Sequence, residues 1–148
     1  WKTLYRGTPF MKMDVNVTAE DVKKYHLILW GDFQSNKLMP WLLLHRGNTA
    51  VPGNPLFQWN RESLVLNGQT YAATSHVPIL ITLNPRSPKR YIVVNSGPTH
   101  REGHDRTNSL QNPKLPDWAV IDLRTAPNDQ TPGAVVDAGF FNERWKFK

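Results

Sequence analysis

The sequence predicts an α/β fold: one domain with a mixed, mostly parallel sheet, few helices and a Rossmann-like first strand–loop–helix unit. Two observations predict it. Segment 26–46 passes from the apolar run His26-Leu27-Ile28-Leu29-Trp30 through a polar turn at 31–36 into Lys37–Arg46, which reads as a helix with Pro40 in its first turn. The stretches Val77–Leu83, Arg90–Val94, Trp118–Leu123 and Ala134–Gly139 are near-continuous apolar runs bounded by turn residues. Strands covered on both faces, typical of parallel sheets, have that pattern.

The remaining elements follow in order. Residues 1–17 read as extended, broken at Pro9. Thr18-Ala19-Glu20-Asp21 opens a short helix, because the Thr18 hydroxyl can cap the amide three residues on and acids favour a first turn. Gly47, Pro52, Gly53 and Pro55 make 47–60 a loop. Leu64–Leu66 and Gln69–Tyr71 flank Asn67-Gly68, a hairpin signature suited to a type I′ turn. Pro85-Arg86-Ser87-Pro88 reads as a short helical turn between two strands, and 95–117 as a polar segment rich in turns. An aromatic tail, Phe140–Trp145, closes the chain. Trp30, Trp41 and Trp118, inside apolar runs, are expected in the core; Trp1, Trp59 and Trp145 lie in terminal or loop segments.

Composition bounds the function. A chain of 148 residues with 39% hydrophobic residues is one globular domain, neither disordered nor fibrous. The absence of cysteine excludes disulfides, thiolate metal sites and a cysteine nucleophile. No apolar run approaches the ~20 residues of a membrane helix, so no membrane partner is expected. A net charge of +6 permits an anionic partner. The densest basic cluster, 85–90, is short and broken by two prolines, which reads as a solvated loop and makes nucleic acid an unlikely partner. Opening at Trp1 in a strand-like stretch, the chain is expected to be a piece of a longer one.

Three constellations could carry chemistry. The turn containing Asp32, Ser35 and Asn36 lies beyond the carboxyl end of the first strand, where open α/β sheets bind ligands. It has one glycine, not the three of a dinucleotide fingerprint, so Ser35 and Asn36 read first as helix caps. Asn95-Ser96-Gly97 looks like a nucleophile elbow but has Val94 where the first glycine belongs, and Pro98 follows. The stretch 99–106 carries His100, Arg101, Glu102, His104 and Asp105. His100 and His104 would share one helical face as metal ligands, yet Gly103 opposes that helix, and a loop with internal pairing is the plainer reading. No cofactor and no metal are expected. The weak catalytic candidates are Ser96, His100, Glu102 and Asp105; the ligand-binding candidates are Asp32, Ser35, Asn36, Asn95 and Arg101.

Several stretches together resemble one family: 16–21 leading into His26–Asp32 and Ser35-Asn36, then Lys89–Gly97 with Arg101-Glu102, Asn112–Asp122, and Val136–Trp145. Their order and wording look like the C-terminal region of large secreted bacterial hydrolases related to prolyl oligopeptidases. The resemblance carries no catalytic motif. It implies an accessory domain, secreted or periplasmic, that packs on an upstream α/β-hydrolase core or on another copy of the chain. Trp1, Phe140, Phe141 and Trp145 are the expected docking aromatics. Two rival readings stand beside it: a hydrolase in its own right using the 95–106 loop beside Asp32, and a module binding anionic polymer or sugar, using Arg86, Lys89 and Arg90 for the polymer.

Overall fold

The structure, a computed structural model, describes residues 6–43, 57–97, 116–127 and 133–148. Thr18 starts helix α1 (Ala19–Lys24) as its sequence foretells: its hydroxyl accepts the Asp21 amide at 3.2 Å, and the Asp21 carboxylate accepts the Thr18 amide at 2.8 Å. This reciprocal pair satisfies two amides that a helix start leaves open. The chain then straightens into strand β1 (Leu27–Trp30), turns at 31–37 and forms helix α2 (Leu38–Leu43), with Pro40 in its first turn. Strands β2 (Gln58–Trp59), β3 (Ser63–Leu66) and β4 (Gln69–Ala72) form a small antiparallel sheet. Asn67 and Gly68, at φ 51° and 76°, make the β3–β4 turn a type I′ hairpin.

Strands β5 (His76–Asn84), β6 (Ser87–Asn95), β7 (Trp118–Asp122) and β8 (Ala134–Gly139) join β1 in a five-stranded sheet of order β1-β6-β5-β7-β8. Only β1 and β6 run parallel among the described strands. The protein is therefore mostly β, not the mostly parallel α/β fold the sequence predicts. Connection length gives the physical reason. Two residues, Pro85 and Arg86, separate β5 from β6, and so short a link makes a hairpin, since a parallel crossover needs a dozen residues or more. The expected helical turn at 85–88 is that hairpin.

The apolar runs misled because the antiparallel middle of this mixed sheet is also covered on both faces: every residue of β7 is buried. Register defines the two faces. Leu29, Leu80, Ile92, Val94 and Trp118 share the inner face, which packs with α2, the small sheet and the tail aromatics Phe141 and Phe147 in one core. On the outer face Gly97 lies against Val77, Ile79 and Ile121. Towards β1 that outer face opens. Ile28 and Trp30 are 45% and 54% exposed, so Trp30 is a surface residue and not the core tryptophan its apolar run suggests. Trp59 departs the other way: it is buried in β2, edge-to-face with Phe33 at 5.4 Å.

Candidate functional site

The parallel pairing of β1 with β6 brings two of the sequence-singled segments together. Trp30 lies in register with Asn95, and the Gly31 amide donates to the Asn95 carbonyl at 3.3 Å. The turn 31–36 and the start of the 95–106 loop are thus neighbours, as the stand-alone hydrolase reading requires. The polar side chains of the turn, however, are spent within the turn and on the head of α2. Asp32 Oδ1 accepts the Gln34 amide at 2.9 Å, the Ser35 amide at 2.7 Å and the Ser35 hydroxyl at 2.7 Å. Partial burial would raise its pKa, but the Ser35 hydroxyl and these amides outweigh burial and hold the carboxyl below its ordinary value. Gly31, at φ 94°, lets the turn close: a Cβ there would sit 2.5 Å from Ser35 Oγ.

Asn36 is spent likewise. Its Oδ1 accepts the Leu38 amide at 3.0 Å at the head of α2, and its Nδ2 donates to the Trp30 carbonyl at 3.0 Å. The capping expected of Ser35 and Asn36 holds for Asn36 alone; the Ser35 hydroxyl instead closes the turn onto Asp32, accepting its amide at 2.9 Å and donating to its carboxylate. Ser96 Oγ is buried without a hydrogen-bond partner among the described residues. His100, Arg101, Glu102, His104 and Asp105 lie outside the described residues, as does Trp1.

The basic cluster also has structural employment. The Arg86 guanidinium lies 4.0 Å from the Trp41 ring centroid, and Arg90 Nε donates to the Lys24 carbonyl at 2.7 Å. Ser87 Oγ donates to the Lys23 carbonyl and Asn84 Nδ2 to the Val22 carbonyl. Three hairpin side chains thereby satisfy the last carbonyls of α1. Lys89 is exposed.

Another titratable cluster escaped the sequence reading. Tyr71 of β4 donates its hydroxyl to Asp137 of β8 at 2.6 Å; burial, then that carboxylate, pushes its pKa up to about 12. Asp122 receives Arg124 through Nε and Nη2, which brings its carboxyl down to about 2. His76 Nε2 stands 3.9 Å from Asp122 Oδ2, and its Nδ1 is 3.0 Å from the Ala72 carbonyl. With the phenol protonated and the carboxylate held by arginine, the group clasps the small sheet to the large one. Its members are up to 66 residues apart, and the local signals are aspartates interrupting apolar strands at 122 and 137.

What the described surface offers instead is apolar area. On the outer face, exposed Ile28, Trp30 and Tyr91 border half-buried Ile81, Leu83 and Val93. The N-terminal strap adds Phe10 at 73%, Met11 at 82% and Met13 at 69% exposure, with Phe10 beside Tyr25 at 5.9 Å. Of the aromatics expected to dock, Phe140 is exposed, Phe141 is buried, and Trp145 is half-buried between Tyr91 and Phe141. No family model, curated protein or solved structure matches the chain.

Proposed function

We propose that this chain is a non-catalytic packing domain that seats its apolar outer face and N-terminal strap on a neighbouring globular unit. By the resemblance of its sequence, that unit is the α/β-hydrolase core of an exported peptidase- or esterase-like protein. The observation that carries the reading is the set of large apolar side chains left exposed on the outer face beside β1 (Ile28, Trp30 and Tyr91) and on the N-terminal strap (Phe10, Met11 and Met13). Isolated exposed apolar residues are ordinary, but neighbouring ones such as Ile28, Trp30 and Tyr91 are the sort that mark an interaction surface. Employment of Asp32, Ser35 and Asn36 in turn and cap supports a structural role for the segment that most resembles a ligand site.

The test is calorimetric titration of the chain into a purified hydrolase core of the resembled family that lacks this region. Saturable one-to-one binding, lost in Trp30→Glu while the circular dichroism spectrum is kept, is the expected result. A parallel panel of chromogenic esters and peptides is expected to show no turnover. Turnover abolished by Ser96→Ala would replace this reading with the hydrolase one.

A further inference from the structure

The edge of β1 is unusual for an exposed sheet edge. Natural edges are blunted by shortness, charge, proline, a bulge or a covering segment, and of these β1 has shortness alone among the described residues. Leu27-Ile28-Leu29-Trp30 carries no charge or proline, and its register with β6 is unbroken. Among the described strands it pairs only with β6.

The ladder tells which groups face outward. Because Gly31 donates to Asn95, the odd residues of β1 direct their amide and carbonyl groups to β6, and Ile28 and Trp30 direct theirs to the open side. The Trp30 carbonyl is already taken by Asn36 Nδ2. Among the described residues Ile28 therefore offers a donor and an acceptor, and Trp30 a donor.

We infer that this edge is completed by β1 of a second copy, antiparallel about a two-fold axis at Ile28, so that the two large sheets become one. In that register the two Ile28 residues exchange both amide–carbonyl bonds. Each Trp30 comes opposite His26 of the other copy, and the Lys23–Lys24 end of one β1 comes to the Asp32 end of the other. The charges are complementary at both ends, because one flank of β1 carries Lys23 and Lys24 and the other carries Asp32. His26 is ready for Trp30: its ring stacks on Tyr91 at 5.3 Å and 15°, and its Nδ1 accepts the Tyr91 amide at 3.0 Å. A parallel arrangement of the same edges would set lysine against lysine and is disfavoured. The contact is isologous, hence closed at two copies. It stands or falls without any hydrolase partner, and it would double the apolar face available to one.

Sedimentation velocity on the intact chain tests it. A reversible dimer with a dissociation constant between about 1 μM and 1 mM is expected for so short an edge. Ile28→Pro removes the outward amide and leaves the β6 ladder untouched, so it should give a folded monomer. Lys24→Glu should weaken the dimer, less so at high salt. Val136→Lys, on the opposite edge, should leave it intact. Since the chain has no cysteine, Ile28→Cys gives a clean second readout. Directly opposed, hydrogen-bonded residues stand about 5.5 Å apart at Cα, within disulfide reach, so oxidation should yield covalent dimer. A wild-type monomer at every concentration overturns the inference. So does a dimer that survives Ile28→Pro, or one that cross-links through Val136→Cys and not Ile28→Cys.

Discussion

At the β8 end of the large sheet the last strand is broken in register between Val120 and Ile121, pinned by Asp137 to Tyr71 of the other sheet, and closed over by the ring of Trp118 lying on Gly139. At the β1 end the last strand is straight and uncharged, with its tryptophan in solvent. Both are short edge strands of one sheet. The difference teaches that edge protection here comes from side chains elsewhere in the fold, and that among the described residues β1 is given almost none. Its one outer carbonyl partner, Asn36, is also the cap of α2.

The sharpest way to break this comparison is to remove each tryptophan. Trp118→Ala should cost about 3–5 kcal/mol in urea denaturation, as for a buried aromatic. Trp30→Ala should stay within about 0.5 kcal/mol, as for a surface site. Equal losses would mean that Trp30 is structural and that the β1 end is not open. Gly139→Ala comes next: a Cβ there would lie 2.7 Å from Trp118 Cζ2, and about 1–3 kcal/mol is expected from the forced shift. Tyr71→Phe, which cuts the clasp at the β8 end, should cost about 1–2 kcal/mol.

How far the sequence foretold this is uneven along the chain. The α1 cap at Thr18, the Asn67-Gly68 turn and the positions of β7 and β8 are legible because each is a local matter of a few residues. Strand direction is not local. The apolar runs at 77–83 and 90–94 report cover on both faces, which parallel and buried antiparallel strands share; the two-residue link between them was the better signal. Trp30 shows the same limit, since an apolar run does not say that its strand lies at an edge. In the candidate site, the adjacency of Asp32 and Asn95 is legible, and so is the use of Asn36 as a cap; Ser35, read as a second cap, closes the turn onto Asp32 instead. The Tyr71–Asp137 clasp was invisible, because the hydrogen bond spans 66 residues.

Smallest in effect, but informative about both ends, is the pH dependence. Lys12 and the Thr18 cap hold Asp21 at about 2 near the β1 end; Arg124 does the same for Asp122 beside β8. Depressed carboxyls add stability that is full above about pH 4 and is lost as pH falls through 2. Tyr71 works in the opposite sense: its contribution is full below pH 10 and fades as pH rises through 12. Thermal melts from pH 2 to 12 should therefore show acid losses reduced in Asp21→Asn and Asp122→Asn, and an alkaline loss absent in Tyr71→Phe. Acid losses unchanged in both aspartate variants would place the acid sensitivity elsewhere.

The parallel pairing of β1 with β6 also bears on how the protein is made. His26 meets Tyr91 across 65 residues, so β1 leaves the ribosome before its partner strand has been synthesised. At 5–20 residues per second the wait is roughly 3–13 s. The β5–β6 hairpin, by contrast, can close within microseconds of emerging. For those seconds Leu-Ile-Leu-Trp is a nascent apolar segment with nothing to pair, and the charges of Lys23, Lys24 and Asp32 on either side are its only gatekeepers.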